Sequence, residues 1–192
     1  MTAYKELFRI LNVYWSDYGR YREVSKSPFF HLALILSFLN LIGILSISWR
    51  EMAKSTLPTM MGFSLAAYTI AFSLMGSDLH TALKSAINQR RGVSLLKMVN
   101  VTFFHIVFVQ TAGYLYSIST EGSFFWRILG KSTDLESING IILMVIILAD
   151  KFIGSLFLFY GSILLLSIAI AMFRLGRLSA LTNITRPPND DG

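Results

Sequence analysis

The chain has 192 residues, of which 54% are hydrophobic and only 15% charged, with a formal net charge of +6. A soluble domain carries about 25% charged residues, so this composition leaves too little polar surface to cover a globule. It contains no cysteine, which excludes disulfides, a thiol nucleophile and Cys-based zinc or iron–sulfur sites.

The apolar residues come in blocks, the pattern of transmembrane helices. The expected fold is all-α: an integral membrane protein with four spans and an N-terminal interfacial helix. No internal repeat or low-complexity tract interrupts the chain. The first span is preceded by 28 mixed residues and is too long for a cleavable signal.

In residues 3–23, Tyr4, Leu7, Phe8, Leu11, Tyr14, Trp15, Tyr18 and Tyr21 recur at helical spacing. Tyr and Trp favour the headgroup level of a bilayer, so residues 1–28 are read as a cytoplasmic, interfacial amphipathic segment; a helix packed on a protein partner is the alternative. Span one is placed at about 29–49 and span two at about 57–75, with Pro58 in its first turn, where the missing N–H costs nothing. A cytoplasmic helix is expected from Ser77 to Gln89, with Ser77 as N-cap and Gly92 as a break. Span three is placed at about 95–118. A polar loop, Ser119 to Ser137, precedes a long apolar run.

That run, IILMVIILADKFIGSLFLFYGSILLLSIAIAMF, holds Asp150 and Lys151. The 36 residues from Ile138 to Phe173 would make a helix of roughly 54 Å, against about 30 Å of hydrocarbon. Placing span four at 152–173 puts Asp150 and Lys151 at the outer interface and leaves 138–149 as an apolar outer extension. The alternative is a tilted or kinked span that buries the pair. Residues 174–192 form a cytoplasmic tail.

Of the 17 basic residues, five (Arg50, Lys54, Arg127, Lys131 and Lys151) fall on one side of this arrangement and twelve on the other. The positive-inside rule then puts both termini in the cytoplasm, and the expected location is the cell inner membrane.

Gly62, Ala66, Thr69, Ser73 and Gly76 form a narrow stripe on span two. Small residues permit close helix packing in lipid, either within the chain or with a second copy. Asn40 lies near the middle of span one, and His105 and Gln110 near the middle of span three. Polar groups at that depth bond across helices or line a polar path; His can also change charge near neutral pH. His31 and His80 are read as interfacial.

No H-E-x-x-H, G-x-S-x-G or phosphate loop is present, and no histidine has an acidic neighbour at ligand spacing. No catalytic residue, metal or cofactor is therefore expected, and an enzyme ranks third among the readings. The sequons at Asn100 and Asn183 fall at the start of span three and on the cytoplasmic side, where glycosylation cannot reach them.

The stretch LPTMMGFSLAAYTIAFSL, with the cytoplasmic termini and four spans, resembles small four-span inner-membrane proteins of bacteria, among them the membrane component of the Kiwa antiphage defence system. The resemblance implies a non-enzymatic sensor or effector that recruits a soluble protein. The resulting expectation is an inner-membrane sensor, scaffold or effector. Its partners are membrane lipids, further copies of itself and a cytosolic protein, with no direct binding of nucleic acid. The alternative is a small ion channel or pore-forming effector lined by Asn40, His105 and Gln110.

Overall fold

The computed structural model describes residues 2–89, 91–120 and 138–184. Seven helices and one small two-stranded ladder make up these residues. The expected polar loop lies almost wholly in 121–137, outside the described residues, as do residues 185–192 of the tail.

The N-terminal amphipathic stretch is two helices where one was expected. Helix α1, Thr2–Tyr18, stops at Gly19, and α2, Arg20–Ser25, follows. Gly19 has φ 98° and Arg20 φ 58°. The left-handed conformation costs a glycine nothing but strains a residue with a Cβ, so the break centres on Gly19.

Helix α3, Pro28–Leu41, begins with proline at its first turn and is 14 residues long, or roughly 21 Å. The expected span to Trp49 is cut short by Gly43, at φ 86°, a residue type that ends helices by entering the left-handed region. The Asn40 side chain fixes the turn that follows: its Oδ1 accepts the Ile47 N–H at 2.8 Å and its Nδ2 donates to the Ile47 carbonyl at 3.2 Å.

Helix α4, Trp49–Leu74, starts eight residues before the expected span two, so Pro58 sits inside the helix and not in its first turn. Arg50, Glu51 and Lys54 read as loop residues because of their charge, yet all three are compatible with a helix, and Glu51 complements the N-terminal end of the macrodipole. Helix α5, Ser77–Ser85, is capped at Gly76, with Ser77 inside it. It ends four residues earlier than expected, because Ile87–Asn88 (β1) pairs antiparallel with Val93–Ser94 (β2). The connection closes through Gly92 at φ 66°, whose N–H reaches the Asn88 carbonyl at 2.8 Å.

Helix α6, Leu95–Ser119, matches the expected third span to within a residue. Helix α7, Ile138–Ile184, is continuous for 47 residues, roughly 70 Å. It joins the expected outer extension, span four and the start of the tail in one helix. Two helical stretches, Leu95–Ser119 and Ile141–Arg177, are long and apolar enough to cross a membrane, and α4 with α5, taken as one bent span, makes a third.

The residues divide into two compact units, with α4, α6 and α7 contributing to both. In the unit formed by 27–62 and 107–164, Trp49, Ala53, Leu57 and Leu158 make a buried core, edged by Ile47, Met60, Tyr114 and Tyr116. Glycines let the helices close around it. A Cβ on Gly154 would lie 2.4 Å from Trp49 ring carbons, and one on Gly113 would lie 2.9 Å from the Phe157 side chain. In the unit formed by 1–26, 63–106 and 165–192, Tyr68 packs on Phe72 and Phe103, and its hydroxyl donates to Asn100 Oδ1 at 3.2 Å. Leu79 and Leu83, four residues apart on α5, are both buried there.

Candidate functional site

Arg50 in the first turn of α4 and Asp150 on α7 form an ion pair through Nη2 and Oδ2. Their side chains are 28% and 10% exposed, so water shields the pair poorly. The second oxygen of Asp150 accepts a hydrogen bond from the Tyr116 hydroxyl on α6 at 3.0 Å. Arg50 Nε points to Thr120 Oγ1 at 3.4 Å. The guanidinium lies 4.8 Å from the Trp49 ring centroid, and that ring stacks on Tyr116 at 5.6 Å. Both carboxylate oxygens and the cation's face are thus engaged, which is what a buried charge pair needs to be tolerated.

Lys151 does not join this pair, because neighbouring residues point about 100° apart on a helix. Its Nζ donates to the Leu41 carbonyl at 3.3 Å, at the C-terminal end of α3, where the dipole favours a cation. Asn40, also at that end and fully buried, donates to Ser155 Oγ at 2.8 Å, so one side chain ties α3 to both the 42–48 turn and α7. Beside these groups opens a cleft of about 490 Å³, lined by Ile47, Trp49, Glu51, Ile147 and Lys151 together with the Arg50–Asp150 pair. That volume lies in the range of small-molecule sites.

The structure gives each of the other polar residues expected within the spans its own partner. Gln110 is fully buried and donates to the Gly161 carbonyl at 3.1 Å. His105 Nδ1 lies 2.6 Å from the Tyr14 hydroxyl, and its ring stacks on Tyr18 at 4.0 Å. Burial, with Tyr18 alongside, pushes the Tyr14 phenol well above its usual range. The Lys97–Asp17 pair at 2.8 Å and the Arg91–Glu23 pair add further links to this N-terminal segment. His31 and His80 are exposed. Among the described residues no group of three His, Asp or Glu is placed to hold a metal ion.

Among the described residues the small-residue stripe packs against no other helix. Gly62, Ala66, Thr69, Ser73 and Gly76 are all exposed, and a Cβ on Gly62 or Gly76 would meet nothing within 4 Å. Close packing inside the chain falls instead to Gly113, Gly154 and Gly161. Spacing does not distinguish the two sets; the large neighbours Trp49 and Phe157 do.

Sequence reasoning also missed Arg50 as the partner of Asp150 and Tyr14 as the partner of His105. For Arg50 there was a signal, a basic residue assigned to the same side as Asp150, just past the end of the expected first span. For Tyr14 there was only its place on the aromatic stripe. Comparison of the chain with protein-family models, curated proteins and solved structures finds no match.

Proposed function

We propose that the chain is a non-enzymatic inner-membrane sensor that spans the bilayer four times, forms a homo-oligomer and works with a cytosolic protein. The observation that carries this reading is the part-buried Arg50–Asp150–Tyr116 cluster set beside an open cleft. A charge pair with little access to water is costly, and a ligand that competes for one member shifts the balance of the whole cluster. The cluster offers a recognition surface that combines a cation, a carboxylate and a phenol, which supports sensing.

Exposed apolar rows support contact with lipid. On α3 these are Leu32, Ile35 and Phe38; on α6, Phe104, Phe108, Leu115 and Ile118. Apolar area on this scale marks a membrane or protein interface. Helix α3, at roughly 21 Å, is shorter than the hydrocarbon core, a mismatch that local thinning of the bilayer accommodates. The excess of Lys and Arg on one side supports cytoplasmic termini, and the outward-facing stripe on α4 supports contact between copies. A place in antiphage defence, beside a cytosolic partner, rests on the sequence resemblance.

The mass of the purified protein in detergent tests the assembly. A multiple of 21.6 kDa is expected, falling to one chain in Gly62→Leu or Ala66→Leu. A wild-type protein that is a single chain in detergent and in lipid nanodiscs refutes this part of the proposal.

A further inference from the structure

We propose that the free N-terminal half of α1, with the cations of residues 20–26, docks on the anionic phospholipid surface of the cytoplasmic leaflet. This deepens the sensor reading by naming a lipid class, and it rests on α6 crossing the membrane with its first turn at the cytoplasmic side.

The apolar stripe of α1 divides into a used half and a free half. Tyr4, Leu7, Leu11, Tyr14 and Tyr18 fall in one narrow arc when residues turn by about 100° each. At its C-terminal end this arc is seated on α6: Tyr14 meets Phe104 edge-on at 4.7 Å, and Tyr18 stacks on His105 at 4.0 Å. At its N-terminal end the same arc is bare, with Tyr4 73% and Leu7 52% exposed, and Phe8 beside it 70%. Phe104 is itself 43% exposed and begins the row on α6 proposed above to face lipid. The bare half of α1 is therefore directed to the same side as that row and extends its apolar surface. Lys5, Arg9, Asn12 and Ser16 lie on the opposite arc, all exposed.

Charge selects the lipid class. The carboxylates of this segment are engaged within the chain: Glu6 by Arg9, Asp17 by Lys97 at 2.8 Å and Glu23 by Arg91. Lys5, Arg20, Arg22 and Lys26 are exposed and have no ion-pair partner among the described residues. The surface thus offers free cations, paired carboxylates and bare apolar side chains. That combination fits anionic headgroups above acyl chains, where burial of apolar area and attraction to negative charge act together. A zwitterionic surface supplies the first of these terms and little of the second. Tyr4 suits the headgroup level, with its ring in the apolar boundary and its hydroxyl in water.

The test uses the full chain with one spin-labelled cysteine, Leu7→Cys, in nanodiscs of phosphatidylcholine with or without phosphatidylglycerol; the native chain has no cysteine. Collisions with oxygen report immersion in lipid, and collisions with a water-soluble nickel chelate report exposure. Phosphatidylglycerol should raise the ratio of immersed to exposed label. Arg22→Gln and Lys26→Gln should each lower that ratio by about fivefold, the worth of one basic residue at an anionic surface. Lys26→Arg should leave it unchanged, and high salt should remove the gain. A label exposed to water in both lipids, immersed equally in both, or shielded from both reagents by protein would each overturn the assignment, as would a gain that survives Arg22→Gln/Lys26→Gln. A label at Phe108→Cys on α6 keeps the two readings apart. It should report lipid throughout, in which case the membrane reading stands whatever Leu7→Cys shows; water exposure there would defeat the membrane reading and this assignment with it.

Discussion

Replacing Asp150 with Asn removes one charge from a part-buried pair and leaves Arg50, 28% exposed, without its counterion. Tyr116 then donates to a neutral amide in place of a carboxylate. Breaking such a pair from one side costs about 3–5 kcal/mol, whereas removing both charges together is close to neutral. For a chain of this size, 1 kcal/mol moves the melting temperature by about 2–4 °C, so Asp150→Asn and Arg50→Met should each lower it by about 6–20 °C. The Arg50→Met/Asp150→Asn double variant should recover most of that loss. Thermal unfolding in a mild detergent, followed by the fraction of protein that remains monodisperse, gives the cycle directly. Lys151 provides the control: it faces Leu41 and not Asp150, so pairing Asp150→Asn with Lys151→Gln should give no recovery. An Asp150→Asn variant that melts with the wild type, or recovery in the Lys151 double variant, would refute the Arg50–Asp150 coupling.

Other expectations follow from the packing. Gly154→Ala drives a methyl into the Trp49 ring and should cost about 1–3 kcal/mol, whereas Gly76→Ala meets open space and should leave the melting temperature unchanged. Tyr14→Phe removes the hydroxyl bound to His105 and should cost about 1 kcal/mol; hydrogen exchange should quicken in α1 while α7 keeps its protection. Asp17→Asn breaks an ion pair whose lysine is 48% exposed, so its effect should be smaller than that of Tyr14→Phe and should fade in high salt.

What the sequence disclosed depended on punctuation. Helix α6 was legible because Gly92 and a polar loop bracket a long apolar run. The boundary between α3 and α4 was not, because Ile42, Ile44, Leu45 and Ile47 keep the turn as apolar as the helices on either side. The signals there are Gly43 and the side chain of Asn40, and an asparagine's hydrogen bonds leave no trace in hydropathy. The α1–α2 break is a single glycine in an otherwise regular stripe. Asp150 was conspicuous as a charge in an apolar run, and helix geometry ruled out Lys151 as its facing partner. The residue that does pair with it lies 100 positions away, beyond any local pattern. For the same reason the polar residues Asn40, His105 and Gln110 could be named from the sequence, while Ser155, Tyr14 and the Gly161 carbonyl, which receive them, could not.

The proposed topology has four spans and both termini in the cytoplasm. Single cysteines at Lys84 and Ser119 test it most directly, because the native chain has no cysteine and the two positions flank α6. In intact cells a membrane-impermeant maleimide should label Ser119→Cys and leave Lys84→Cys unlabelled until the membrane is opened. Labelling of both positions from outside, or of Lys84→Cys alone, would contradict it.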